Sequence, residues 1–114
     1  MTNDQLSLAW SEAAQYSDPD AFVSDLLLSS AFLPEDPDAQ PDLSLAPALR
    51  AVWTACCGSF RELLQLIHET QSSLSRRFDI PMRTVQGWAL GERQCPPYVR
   101  RMILELSGVL ATVK

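Results

Sequence analysis

Asp79-Ile80-Pro81 is the feature that most limits what this chain can fold into. Pro81 has no N–H and pushes Ile80 away from the αR region, so a helix cannot run straight through this point. Helical periodicity surrounds it nonetheless. Leu74 and Phe78 recur on one face before the break, and Val85 and Trp88 recur after it. The stretch Gln71 to Gly91, QSSLSRRFDIPMRTVQGWALG, therefore predicts two short helices, about 71–78 and 82–90, joined by a tight turn with Ile80 as an apolar plug between them. Asp79 adopts the left-handed region more readily than most residues with a side chain. Pro81 suits a helix start, and Gly91 suits the left-handed cap that closes the second helix.

The rest of the chain reads as further helices. Residues 4–16, DQLSLAWSEAAQY, put Leu6, Trp10, Ala13 and Ala14 on one side of a first helix. Asp18-Pro19 supplies an N-cap and a first helical residue, and Phe22, Val23 and Leu26 to Leu28 carry a second helix to about Phe32. Residues 34–43, PEDPDAQPDL, hold three prolines and four acids and predict an exposed connector. Residues 45–57, LAPALRAVWTACC, have so few polar positions that this helix must be covered nearly all round, in the centre of the monomer or in a dimer. Gly58 ends it. Ser59 and Glu62 form a capping box for a helix over 59–69, with Phe60, Leu63, Leu64 and Ile67 inward. Thr70 caps the next helix. Pro96-Pro97 starts a last helix, YVRRMILELSGVLATV, with Val99, Ile103, Leu106 and Leu110 as its core stripe. The fold class expected is all-α, a compact multi-helix bundle, with an acidic helical region over 1–58 and a helix-turn-helix domain over 59–114.

Charge divides the chain in the same place. Residues 1–59 carry nine acids against Arg50 alone, a net of −8; residues 60–114 carry five acids against eight bases, a net of +3. An acidic half joined to a basic half points to two different surfaces. Cys56, Cys57 and Cys95 are an odd count, and with a single histidine and no CxxC spacing neither a zinc site nor a disulfide framework is expected. Reduced thiols in a cytoplasmic protein are the expectation. No apolar run is long enough for a membrane span, and the first residues lack the pattern of a signal peptide. His68 has no orienting partner in the sequence, and there is no glycine-rich phosphate loop, so neither an enzyme nor a cofactor is expected.

The central stretch resembles the helix-turn-helix of the XRE, or lambda-repressor-like, family of DNA-binding domains. The resemblance is carried by Gln71, Leu74, Phe78, Ile80, Thr84, Val85, Trp88 and Gly91, and the helix at 59–69 extends it to about residues 59–111. The chain departs from the family pattern at Ser75, usually Ala, at Asp79, usually Gly, and at Pro81, usually Ser.

What the resemblance implies is a regulator that binds double-stranded DNA, of bacterial, phage or mobile-element type, acting as a dimer on a two-fold site. Residues 82–90 are then the recognition helix in the major groove. Arg83 offers a fork to guanine and Gln86 an amide to adenine, and Met82 offers an apolar contact to a thymine methyl. Gln71 and Arg93 lie where the family meets phosphates. Arg76 adds charge on the outer face of the first helix, and Thr84 is a phosphate contact or a helix-start hydroxyl. Gly87, mid-helix and without a side chain, allows close approach to DNA or is simply a tolerated weak residue. Arg100 and Arg101 are further candidates for the DNA backbone. Two other readings stand beside this one. The acidic N-terminal half can meet a protein partner, as a DNA-mimicking or anti-CRISPR-like inhibitor built on a helix-turn-helix scaffold. The same fold can also serve as a structural or terminase-like phage component.

Overall fold

The computed structural model describes residues 1–33, 38 and 40–112, the side chain of Thr112 excepted. The expected connector 34–43 therefore lies partly outside the described residues. The architecture is an all-α multi-helix bundle with no strand among the described residues. Among the described residues no helix is long and apolar enough to cross a membrane.

Helix α1, Asn3–Ala13, starts at a capping box in which Thr2 and Gln5 satisfy each other's backbone N–H groups. It buries Leu6, Ala9 and Ala13, while Ala14 lies beyond the last turn and is exposed. Helix α2, Pro19–Leu27, has the expected Asp18 cap, with the carboxylate accepting from the Asp20 N–H at 3.1 Å. It stops well short of Phe32. At this end the Ser29 N–H and hydroxyl both donate to the Leu26 carbonyl, at 3.1 and 2.8 Å. The chain then turns so that Phe32 is still buried, and the Gln5 amide fixes the turn by donating to the Ala31 carbonyl at 2.9 Å.

A 3-10 turn, Leu43–Leu45, capped by Asp42, leads into α3, Ala46–Cys57. Of the two expectations for this apolar helix, the structure realises the first: α3 lies at the centre of the monomer. It buries Ala48, Leu49, Ala51, Val52 and Ala55 and packs against α1 and α2, and against α4, Phe60–Leu66, and α7, Pro97–Ser107. Alanine on several sides of α3 is what allows four helices to approach one. Trp53, half-buried at its edge, donates its indole N–H to the Tyr16 carbonyl at 3.0 Å.

The Ser59–Glu62 capping box forms as expected, with both reciprocal bonds at 3.1 Å. Helix α4 nevertheless ends at Leu66 rather than Glu69. His68 takes a left-handed conformation at φ 58° and the Glu69 N–H returns to the Leu64 carbonyl at 3.0 Å, a helix-terminating loop closed without glycine. The last expected helix is also divided. Gly108, at φ 76°, ends α7, and a separate short helix, α8, Val109–Thr112, follows it.

A single apolar cluster joins residues of both halves, among them Leu6, Phe22, Leu49, Leu63, Leu74, Val85 and Ile103. The molecule is elongated, 52 × 25 × 19 Å, with a radius of gyration of 15.0 Å, against about 13 Å for a compact chain of this length.

Candidate nucleic-acid interface

Helix α5, Gln71–Phe78, and helix α6, Met82–Leu90, occupy the expected spans. Thr70 caps α5 by accepting from the Ser73 N–H at 3.1 Å, and the Ser73 hydroxyl accepts from the Thr70 N–H at 2.8 Å. Asp79 ends α5 in the left-handed region, φ 54° and ψ 46°. Ser75 has a role its sequence position did not reveal. Its hydroxyl donates to the Ile80 carbonyl at 2.5 Å while its own carbonyl accepts the Ile80 N–H at 3.0 Å. Ser75 thus fixes both backbone groups of the plug residue. Leu74 and Val85 are fully buried between the two helices. Trp88 tilts against Phe60 of α4, ring centroids 5.4 Å apart, and so anchors α6 to the bundle.

The outward surface follows from this packing. Arg83, Gln86 and Leu90 are exposed at spacings of three and four, so they form one stripe along the solvent side of α6. Met82 and Thr84 are half-buried at its first turn, and Gln71 is half-buried at the first position of α5. Helix geometry leaves the Gln71 and Ser72 N–H groups without a partner inside α5. Arg76 is exposed on the side of α5 opposite Leu74.

Gly87 is not part of the outer face. It is buried beneath the side chain of Arg93: a methyl added to Gly87 would meet Arg93 Cδ at 3.7 Å and Cγ at 3.8 Å. The chain returns over α6 because Gly91, at φ 78°, sends the Glu92 and Arg93 N–H groups back to the Gly87 carbonyl at 3.0 and 3.3 Å. The place where bare backbone could approach DNA is therefore taken by an arginine stem. Since 3.7 Å is ordinary contact, Gly87→Ala is expected to stabilise the fold by about 0.5–1 kcal/mol through helix propensity. Urea denaturation measures this, and a loss of stability instead would mean that the Arg93 stem packs on Gly87 more closely than 3.7 Å.

The arginines from Arg76 to Arg101 divide into two groups. Arg77 is held by Glu69 at 3.0 Å and donates to the Leu106 carbonyl at 3.0 Å. The Ser73 hydroxyl and then Arg77 hold the Glu69 carboxyl below its usual range. Arg100 and Arg101 are corrected from candidate DNA contacts to internal ties. Arg100 turns inward, donating to the carbonyls of Thr54, Ala55 and Gly58 at the end of α3. Arg101 donates to the Ser7 hydroxyl at 2.9 Å and pairs with Glu105 at 3.4 Å. Arg76, Arg83 and Arg93 form the other group: exposed, on α5, on α6 and just after α6, with no ion pair among the described residues.

Beside this surface lies an open groove of about 540 Å³ between the α3–α4 junction and the α6–α7 loop, lined in part by Cys56, Cys57, Cys95, Trp88 and Arg100. All three thiols are free. Burial pushes Cys56 up to about 12 and Cys95 up to about 11. Raising a thiol pKa removes thiolate at a given pH, so both are expected to be slow toward Ellman's reagent at pH 8. Exposed Cys57 should react first, giving one fast equivalent in the native protein and three after unfolding. Two fast equivalents would contradict the burial of Cys56 and Cys95.

No family model, curated protein or solved structure matches the chain.

Proposed function

We propose that this protein is a DNA-binding regulator of the XRE, or lambda-repressor-like, type, with α6 as the helix that enters the major groove. The reading rests on the exposed Arg83–Gln86–Leu90 stripe flanked by Arg76 and Arg93, with none of these three arginines paired to a carboxylate among the described residues. A guanidinium fork, an amide and an apolar tip on one helical face are the chemistry that reads base edges. Arg76 and Arg93 supply charge for the phosphates on either side, and the N–H groups at the start of α5, which have no partner inside that helix, suit a phosphate oxygen. Gln71, Met82 and Thr84 border the same face. The net charge of −5 does not oppose this, because the excess acid belongs to residues 1–59.

Selection of bound fragments from a random pool of duplex DNA, followed by anisotropy titration against salt, tests binding and site sequence together. The expected result is a selected motif whose affinity falls steeply as salt rises. Absence of DNA affinity at low salt ends the proposal.

A second reading is favoured by Asp4, Asp18 and Asp25, which are exposed on or next to α1 and α2 and have no ion pair among the described residues. On this reading the acidic face meets a basic protein surface, in the manner of a DNA mimic. Capture of a partner by the full chain, lost on replacing these three aspartates by asparagine, supports it; retention of the partner by that variant overturns it.

A further inference from the structure

The open groove between the α3–α4 junction and the α6–α7 loop is lined by three arginines, Arg61, Arg93 and Arg100, and by no carboxylate among the described residues. Glu62 and Glu92 adjoin Arg61 and Arg93 in the chain but lie outside the lining, and Glu62 accepts from the Ser59 N–H at 3.1 Å. The three guanidiniums are not equally engaged. Arg100 gives its Nε and one terminal nitrogen to the carbonyls around the end of α3. Arg61 gives only its Nε, to the Ala89 carbonyl at 3.3 Å. Arg93 makes no ion pair among the described residues. The thiols of the groove do not offset this charge, because burial pushes Cys56 and Cys95 up and keeps both neutral near pH 7. One wall is apolar: half-buried Trp88 rests on Phe60, and Leu90 is 64% exposed beside it.

We propose that this groove binds a small aromatic phosphate of the nucleoside mono- or diphosphate class, with its ring against Trp88 and Leu90 and its phosphate at Arg61 and Arg93. The space of about 540 Å³ suits such a ligand, since small-molecule sites run from roughly 300 to 1,000 Å³. A guanidinium fork matches a phosphate with two parallel hydrogen bonds. Three cations facing no anion favour a group with two negative charges over a single carboxylate. The indole of Trp88 offers a flat face on which a base can stack. Arg100 contributes its charge from behind, because its fork is already turned to the backbone.

The position of the groove gives such a ligand a consequence. Its lining includes Trp88 and Leu90 of α6, and it shares Arg93 with the DNA-facing surface. A bound phosphate competes with the DNA backbone for that guanidinium, so the ligand acts as an effector that lowers DNA affinity. This last step rests on the DNA reading above; the binding itself does not.

Isothermal titration calorimetry of the full chain without DNA, in magnesium-free buffer, tests the binding. The probes are ADP, GDP, CDP and UDP, with adenosine, pyrophosphate and 1-naphthoate in parallel. The expected result is saturable one-site binding of at least one nucleoside diphosphate, tighter than that of the three simpler probes. Arg61→Gln and Arg93→Gln are each expected to weaken it about tenfold, with unchanged far-ultraviolet dichroism because both side chains are exposed. No heat from any nucleotide at millimolar concentration overturns the proposal. So does pyrophosphate, adenosine or naphthoate binding as tightly as the best nucleotide, or both variants binding it like the wild type. On a selected duplex, the nucleotide is expected to weaken DNA binding by the wild type and not by Arg93→Gln; unchanged wild-type affinity overturns the effector step. The calorimetry contains no DNA, so failure of the DNA reading is seen separately from failure of this one.

Discussion

Arg100→Met is expected to lower the unfolding free energy by about 3 kcal/mol. Arg100 is half-buried where the end of α3 meets the start of α7. Its Nε donates to the Ala55 carbonyl, and one terminal nitrogen donates to the Thr54 and Gly58 carbonyls. These are carbonyls of the last turn of a helix or just beyond it, where the chain supplies few donors of its own. The guanidinium also places a full positive charge at the negative end of α3. Methionine keeps most of the aliphatic stem and removes every donor.

Charge-assisted bonds of this kind are worth about 1.5–3 kcal/mol each, and they overlap because they share one group. The desolvation that already holds the Arg100 pKa below its usual value is recovered on removal and offsets part of the loss. Urea unfolding followed by circular dichroism measures the difference, and the melting temperature should fall by roughly 10 °C. Arg100→Lys should recover less than half, since one ammonium cannot span the carbonyls that the fork reaches. A loss below 0.5 kcal/mol for Arg100→Met would show that the carbonyls are satisfied by water and that the tie is incidental.

The second large effect belongs to the proposed DNA binding. Arg83→Ala combined with Gln86→Ala is expected to weaken binding to a selected site by about 30-fold or more, from roughly 1–3 kcal/mol for each bidentate contact. Binding to unrelated duplex should change little, apart from the loss of the Arg83 charge. Arg93→Ala should act differently, weakening all sequences alike and reducing the salt slope by about one. Arg93 is the informative contrast because its stem crosses Gly87 while its head stays in solvent. If the double variant binds its selected site as the wild type does, α6 is not the reading helix.

The legibility of this fold in its sequence depended on how far each cause reaches along the chain. Asp79, Pro81 and Gly91 act on their own dihedral angles or on a neighbour's, so both helices of the central pair end where the residues require. The caps at Asp18, Ser59 and Thr70 span two or three residues and were equally readable. Two helix ends carried no such local mark: the apolar pattern of α2 continued to Phe32, beyond the end at Leu27, and His68 ended α4 in the left-handed region without a glycine.

The candidate site was legible as a span, less so as a set of side chains. Arg83, Gln86, Arg76 and Arg93 are exposed as their positions suggested, but Gly87 is covered. The reason is the path of residues 92–93, which a helical wheel of α6 does not contain. Arg100 and Arg101 looked like surface charge because they are arginines at a helix start. Their directions are set by carbonyls more than 40 residues earlier and by Ser7 of α1.

By itself, then, the sequence determined the helical class, the break at Asp79 to Pro81, the caps and the division of charge, all of which follow from dihedral limits and hydrogen bonds within about one turn of helix. The tertiary structure decided that α3 lies at the centre of the monomer, that Arg93 closes over Gly87, that Arg100 ties α3 to α7, and that α7 buries Leu104 while Leu106 faces water. Those outcomes depend on which surfaces meet after the helices pack. A long side chain's partner can lie anywhere within its reach in space, whatever the separation along the chain.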